Sequence, residues 1–320
     1  MNNAPASCGA EGREVRRSNS PARTNSPLGC SARRGTAKQV PSGKLAADLS
    51  ALGSSTAEVA QPCVPAIELR EVSFSYGKEP FIGGLSAMFS HGAVTSIVGP
   101  NGCGKSTMVK LVDGLLRPQA GEVRVGGVPT LSLKAKARAR RVAVLAQASR
   151  PPAMTVEALV ACGRYPYQAH QGKLSREDRE HVERALELAG IARFRTQELR
   201  AAGAAAQRQR AFIAMTLAQD TDLIVLDEPT TYLDIRACHE TMELIRRLNE
   251  EAGKTIVMVI HDLDLALRYS DRLLVMERGR AAAAGTVEEV LATGAIERAF
   301  GVSIRPHEAA EGRAYTLFPA

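Results

Sequence analysis

Apolar positions along the chain fall into short strand-like runs alternating with helical stripes. Ile67, Leu69, Val72 and Phe74 alternate with polar neighbours and slip at Arg70-Glu71, which predicts a first strand with an irregularity there. Residues 93–98 are apolar enough for a buried parallel strand. Val109, Val112 and Leu116 then recur at helical spacing until Arg117-Pro118 stops the helix. Residues 122–125 form a short strand closed by Gly126-Gly127, a hairpin-type turn, and 142–145 form another apolar strand. Thr155 caps a helix through Cys162. Ser175 with Asp178 makes a capping box ahead of the stripe Val182, Leu186 and Ala189. A helix over 207–219 precedes strand 223–226, a helix over 235–252, strand 255–260 and strand 273–276. Strands alternating with helices predict an α/β fold with a mostly parallel sheet, and 148–206 reads as a helical insertion.

Residues 1–62 keep no lasting apolar period. They are rich in Ser, Ala, Arg, Gly and Pro, and Asn-Ser-Pro occurs twice. Disorder is expected there. The composition also fits an organelle transit peptide, or a translation start placed too early.

Composition narrows the class. Across 320 residues, 45% are hydrophobic and 23% charged, ordinary for a globular protein. Aromatics are only 4% and Trp is absent, which argues against stacking platforms for single-stranded nucleic acid; no nucleic-acid partner is expected. The six cysteines form no C-x-x-C, so free thiols are expected and neither a disulfide frame nor a zinc site. No apolar run is long enough to span a bilayer. The formal net charge is +7, of which residues 1–65 carry +4, from eight basic and four acidic residues.

The chemistry centres on Gly99-Pro100-Asn101-Gly102-Cys103-Gly104-Lys105-Ser106-Thr107, which fits the phosphate-loop pattern G-x-x-x-x-G-K-[ST] in the required strand–loop–helix context. Backbone N–H groups and the helix N-terminus favour phosphate there, and Gly102 and Gly104 admit it closely. Lys105 is expected on the β- and γ-phosphates of ATP, and Ser106 on Mg²⁺. Asp227-Glu228 ends an apolar strand, so Asp227 can hold Mg²⁺ and Glu228 can polarise a water. His261 ends strand 255–260, where an imidazole can reach a γ-phosphate or, alternatively, cap the next helix. Gln147 lies beyond a strand end and can reach metal or water, or stay a surface residue. Tyr76 can stack on adenine or simply pack at its strand end.

In this order, these elements resemble an ABC-transporter ATP-binding subunit over about residues 66–305, with 306–320 as a tail. The resemblance covers Tyr76, the phosphate loop, Gln147, Asp227-Glu228, a loop at Thr231-Tyr232-Leu233-Asp234, and His261. Cys162-Gly163-Arg164-Tyr165-Pro166-Tyr167, Asp227-Glu228-Pro229-Thr230-Thr231-Tyr232-Leu233-Asp234 and His261-Asp262-Leu263 look like importers of iron(III)-siderophore, heme or cobalamin, the siderophore branch most of all. The resemblance implies a phosphate-loop NTPase core with an antiparallel β portion and a helical subdomain. It implies a head-to-tail dimer with two sandwiched ATPs, at the cytoplasmic face of the cell membrane. It also implies docking on a membrane permease, with substrate delivered by a periplasmic or lipid-anchored binding protein. One motif departs. Where the family has Leu-Ser-Gly-Gly-Gln, this chain has Gly203-Ala204-Ala205-Ala206-Gln207. The hydroxyl meant for the partner's γ-phosphate is missing, so the alternative is an ATP-binding subunit that hydrolyses poorly.

Overall fold

A computed structural model describes residues 64–146, 152–168, 173–200, 205–309 and 312–319. In chain order its first half runs β1 (Ile67–Phe74), β2 (Ile82–Phe89), β3 (Val94–Val98), α1 (Lys105–Val112), β4 (Ala120–Val125), β5 (Val128–Pro129), α2 (Ala135–Ala139) and β6 (Val142–Leu145). Then come α3 (Val156–Cys162), α4 (Arg176–Leu188), α5 (Ala205–Ala218), β7 (Leu223–Asp227), α6 (Ile235–Glu250), β8 (Thr255–Val259) and α7 (Leu263–Tyr269). The chain closes with β9 (Arg272–Glu277), β10 (Arg280–Thr286), α8 (Val287–Ala292), α9 (Ala295–Phe300), β11 (Val302–Ala309) and β12 (Gly312–Pro319).

The main sheet has the order β10-β9-β3-β8-β7-β6 and is parallel except for the β9–β10 hairpin. Every residue of β3, β7 and β8 is buried, as a sheet covered on both faces requires. Their side chains alternate between two cores. Ile224, Leu226, Ile256 and Met258 join the helices; Val225, Val257, Val259 and Ile97 face α1 and the second sheet. That second sheet is antiparallel, in the order β2-β1-β4-β5. Its irregularity falls where expected: the register of β1 slips between Leu69 and Val72, and Glu71 takes φ 46°. The β4–β5 turn is Gly126-Gly127, both at positive φ, the backbone that a two-residue hairpin turn demands.

The helices form where the caps lie. The Thr155 hydroxyl accepts from Ala158 N–H, and Ser175 and Asp178 complete the capping box of α4. Helices α3, α4 and α5 pack on one another. Helix α5 buries Ile213, Ala214 and Leu217 in the core that these helices share with one face of the main sheet. One correction concerns the C-terminus. Residues 306–320 were expected as a tail beyond a domain ending at 305, but 305 lies inside β11. Ile304 pairs with Leu317, and both pack with Tyr315 on the main core, so burial of these apolar positions draws the segment back as a hairpin. The expectations for residues 1–62 lie outside the described residues.

Candidate nucleotide site

Strand β3 enters the phosphate loop at the middle of the main sheet, between β9 and β8, the place where open α/β sheets bind ligands. Close packing dictates Gly99. A Cβ there would sit 2.2 Å from the Met276 carbonyl oxygen and 2.7 Å from Cys103 Sγ. Gly104 caps α1 at φ 108°, with no side chain covering the helix end. Lys105 is 5% exposed, and its ammonium donates to the carbonyls of Gly99 (2.7 Å) and Pro100 (3.1 Å). The loop thus holds its own cation in place along the path a phosphate would take. Cys103 is equally buried, and burial pushes its thiol up from the ordinary value. Its carbonyl accepts from Gly279 N–H at 3.0 Å, tying the loop to the β9–β10 turn.

Two more strands deliver the carboxylates and the imidazole. Asp227 ends β7, 5% exposed, and its Oδ1 accepts from Ser106 Oγ at 3.2 Å. Burial raises its carboxyl above the usual range, with the Ser106 bond acting against that. Consecutive strand residues would face opposite sides. Glu228 escapes this by adopting φ 58°, strained for a non-glycine residue. Its N–H donates to the Val259 carbonyl, and its side chain lines the same cavity. Glu228 Oε1 lies 2.5 Å from His261 Nε2, and Oε2 accepts from the Thr231 hydroxyl at 3.0 Å. His261 does not cap α7; Asp262 does, accepting from Asp264 N–H and Leu265 N–H.

The resulting cavity measures about 620 Å³ and is lined by Asn101, Gly102, Gly104, Lys105, Ser106, Thr107, Glu228, His261 and Phe81. Tyr76 stands at its edge. Its hydroxyl is 3.1 Å from Thr107 Oγ1, and its ring packs edge-on against Phe74 and Phe81, leaving it 61% exposed. Phe81 is a lining residue that sequence reasoning missed, and Thr231, read only as part of a loop, was missed as a partner of Glu228. The signal for Phe81 was a second aromatic just ahead of β2; for Thr231, a hydroxyl three residues past Glu228.

Two expected residues remain to be placed. Gln147 lies outside the described residues; β6 ends at Leu145, paired with Leu226 beside the carboxylates. Gln207 is half-buried in the first turn of α5 and does not line this cavity. The described part of that helix already includes Ala205 and Ala206, ahead of the expected start at 207, as alanine's helix preference allows.

The residues fit Mg²⁺ as well as phosphate. A hydroxyl and a carboxylate meet at Ser106 and Asp227, hard oxygen donors of the kind that cation takes alongside substrate phosphates. No group of three or more His, Cys, Asp or Glu among the described residues offers an all-protein metal cage.

Residues 82–231 match the ABC transporter family model. The chain is 42% identical over 227 residues to a petrobactin import ATP-binding protein of Bacillus anthracis, covering 71% of this chain and 83% of that protein. It is 40% identical over 233 residues to the ferric enterobactin transport ATP-binding protein of Escherichia coli, covering 72% and 86%. Among solved structures it superposes on an inward-facing metal-chelate type ABC transporter with TM-score 0.69 at 23% identity, covering 80% of this chain and 98% of that one. A dimeric ATP-binding cassette bound to ADP and Pi superposes with TM-score 0.60 at 28% identity, covering 69% and 98%. With a phosphate loop, paired carboxylates and a strand-end histidine around one cavity, and with relatives at this identity over most of their length, the chain belongs to the ABC transporter family.

Proposed function

We propose that this chain is the ATP-hydrolysing subunit of an importer, coupling hydrolysis to uptake of an iron(III)-siderophore or related metal chelate. One observation carries the reading: Lys105, Ser106 with Asp227 bonded behind it, and the Glu228–His261 pair converge on a single cavity. Relatives at about 40% identity that are named for siderophore import supply the cargo class. In this reading Lys105 turns from the loop carbonyls to the β- and γ-phosphates, and the N-terminus of α1 faces the same anion. Ser106 and Asp227 would hold Mg²⁺, which supplies charge neutralisation at the phosphates. Glu228 accepts the proton of the attacking water, a role worth about 10²–10⁴-fold. Both of its oxygens are bonded here, so His261 must release Oε1 before water can be polarised. His261 then has a γ-phosphate oxygen as its partner.

The chain would work as a head-to-tail dimer on membrane permease subunits, peripheral to the cytoplasmic face, with a binding protein delivering the chelate. Among the described residues no helix is long and apolar enough to cross a membrane, so the permease would provide the path. The test is phosphate release and chelate uptake in vesicles holding the permease. The wild type should support both. Glu228→Gln should bind ATP, lose turnover and accumulate as an ATP-bound dimer. Full turnover with Glu228→Gln would overturn the assignment of the base. Uptake that continues without the chain would overturn the coupling role.

A further inference from the structure

Between Glu122 and Glu157 the sequence contains no carboxylate. Residues 123–146 carry six cations, of which Arg124 is paired with Glu122 at 2.6 Å. Five of these cations fall at positions 134–141, on and beside α2. That helix has no buried residue, and it forms an exposed basic ridge.

The ridge is fastened by some of its own charges. Arg140 donates twice to the Pro166 carbonyl, at 3.1 and 2.9 Å, and its guanidinium lies over the Tyr167 ring. Lys136 donates to the Gln168 carbonyl at 2.8 Å and sits 5.0 Å from the centre of the Tyr165 ring. Carbonyl oxygens and rings leave these cations without a countercharge. Lys134 and Arg141 are exposed and have no ion pair among the described residues. They stand about 10 Å apart along the ridge. Two exposed apolar side chains flank it: Tyr165, 65% exposed, and Leu131, 45% exposed.

We propose that this ridge binds the anionic headgroups of a phospholipid bilayer. A cluster of exposed cations with an exposed aromatic and a leucine beside them matches a negative interface that has an apolar layer beneath. Single-stranded nucleic acid would call for several stacking rings. The inference rests on the proposed peripheral role, and it adds a direct lipid contact independent of the permease.

The experiment is co-sedimentation of the full chain, without permease, with phosphatidylcholine vesicles that either lack phosphatidylglycerol or contain about a third of it. Binding should need the anionic lipid and weaken with added salt. Lys134→Gln with Arg141→Gln should lower partition about 10- to 30-fold, from two cations near the surface. Lys134→Arg with Arg141→Lys should keep it. ATP affinity, measured in parallel, should be equal in all three proteins, which shows that the neutral variant is folded. Unchanged vesicle binding by the neutral variant would overturn the inference by placing the contact elsewhere, as would RNA competing off the vesicles at lower concentration than soluble phosphatidylglycerol. A chain that turns over ATP with its permease but ignores anionic vesicles would overturn this inference and leave the proposed function standing.

Discussion

Two buried aspartates, Asp178 in the helical layer and Asp227 beside the phosphate loop, solve opposite electrostatic problems. Both are almost inaccessible, at 6% and 5% exposure. Burial alone raises each carboxyl. At Asp178 the bonds from Arg164 and Ser175 outweigh burial and hold it below the usual carboxylate range. Arg164 Nε donates to Asp178 at 2.8 Å, its Nη1 donates to the Ala218 carbonyl at 2.9 Å, and its plane covers Tyr167. One guanidinium thus binds the starts of α4 and the end of α5. Asp227 has the Ser106 hydroxyl at 3.2 Å and weaker help from the charges of Lys110 and His261, too little to offset burial and the neighbouring Glu228, and stays raised. The helical layer spends its charges on each other. The cavity leaves its carboxylate under-compensated, which is the electrostatic condition that attracts a cation.

The comparison is most open to challenge at Arg164. Arg164→Ala should lose about 3–5 kcal/mol of stability, because it strands a buried carboxylate. Chemical denaturation reads this directly, and a loss below about 1 kcal/mol would mean that the pair is a surface-like bridge. In the cavity, Lys105→Ala should weaken ATP binding by at least about 100-fold, since it removes charge-assisted bonds to two phosphates. Its stability should change much less than that of Arg164→Ala. Nucleotide titration of the purified chain checks the first point, and thermal melting the second.

A smaller effect is expected at the start of α5. Restoring the family motif by Gly203→Leu, Ala204→Ser, Ala205→Gly and Ala206→Gly should raise permease-coupled hydrolysis by about 10-fold, the low end of one charge-assisted hydrogen bond. ATP affinity of the single subunit should stay level, because Ala205, Ala206 and Gln207 do not line that subunit's cavity. A change in that affinity would place the segment near its own nucleotide and break the head-to-tail arrangement.

The smallest effect concerns pH. A carboxyl raised by folding binds its proton more tightly in the native state, so its ionised form opposes folding once pH passes from the ordinary carboxylate range through the raised value. Asp227→Asn should therefore raise the melting temperature slightly at neutral pH, and the gain should vanish in acid. Asp178 has the reverse sign. Its contribution is full above the ordinary carboxylate value and is lost as pH falls through its depressed one, so Asp178→Asn should destabilise at neutral pH and matter little in acid. Melting curves across pH with the two slopes alike would refute the contrast.

Much of the site was legible because its chemistry is local in sequence. The run Gly99 to Thr107 must be contiguous, since one turn of backbone cradles the phosphate. The strand-end positions of Asp227 and His261 followed from apolar runs that stop abruptly. What stayed hidden was anything set by side chains meeting across the fold. Phe81 reaches the cavity only because the β1–β2 hairpin folds beside the loop. Thr231 finds Glu228 only because Glu228 turns to positive φ. The C-terminal hairpin escaped notice because eight-residue strands split by a proline, Pro306, look like a tail until Ile304 and Leu317 have a core to join.

By itself the sequence determined the α/β class, the phosphate loop, seven of the strands and five of the helices in their order, the capping box of α4 and the cap of α3. These rest on interactions spanning a few residues, or on the period of apolar positions, and need no partner elsewhere in the chain. Only the tertiary structure decided which strands are neighbours, that α5 joins the helical layer, and that Arg164 is a buried pin. It also decided that Glu228 meets His261 at 2.5 Å while Lys105 rests on its own loop. Such contacts depend on burial, direction and distance between segments far apart in the chain. A list of residues contains the groups that can meet, but packing alone selects the pairs that do.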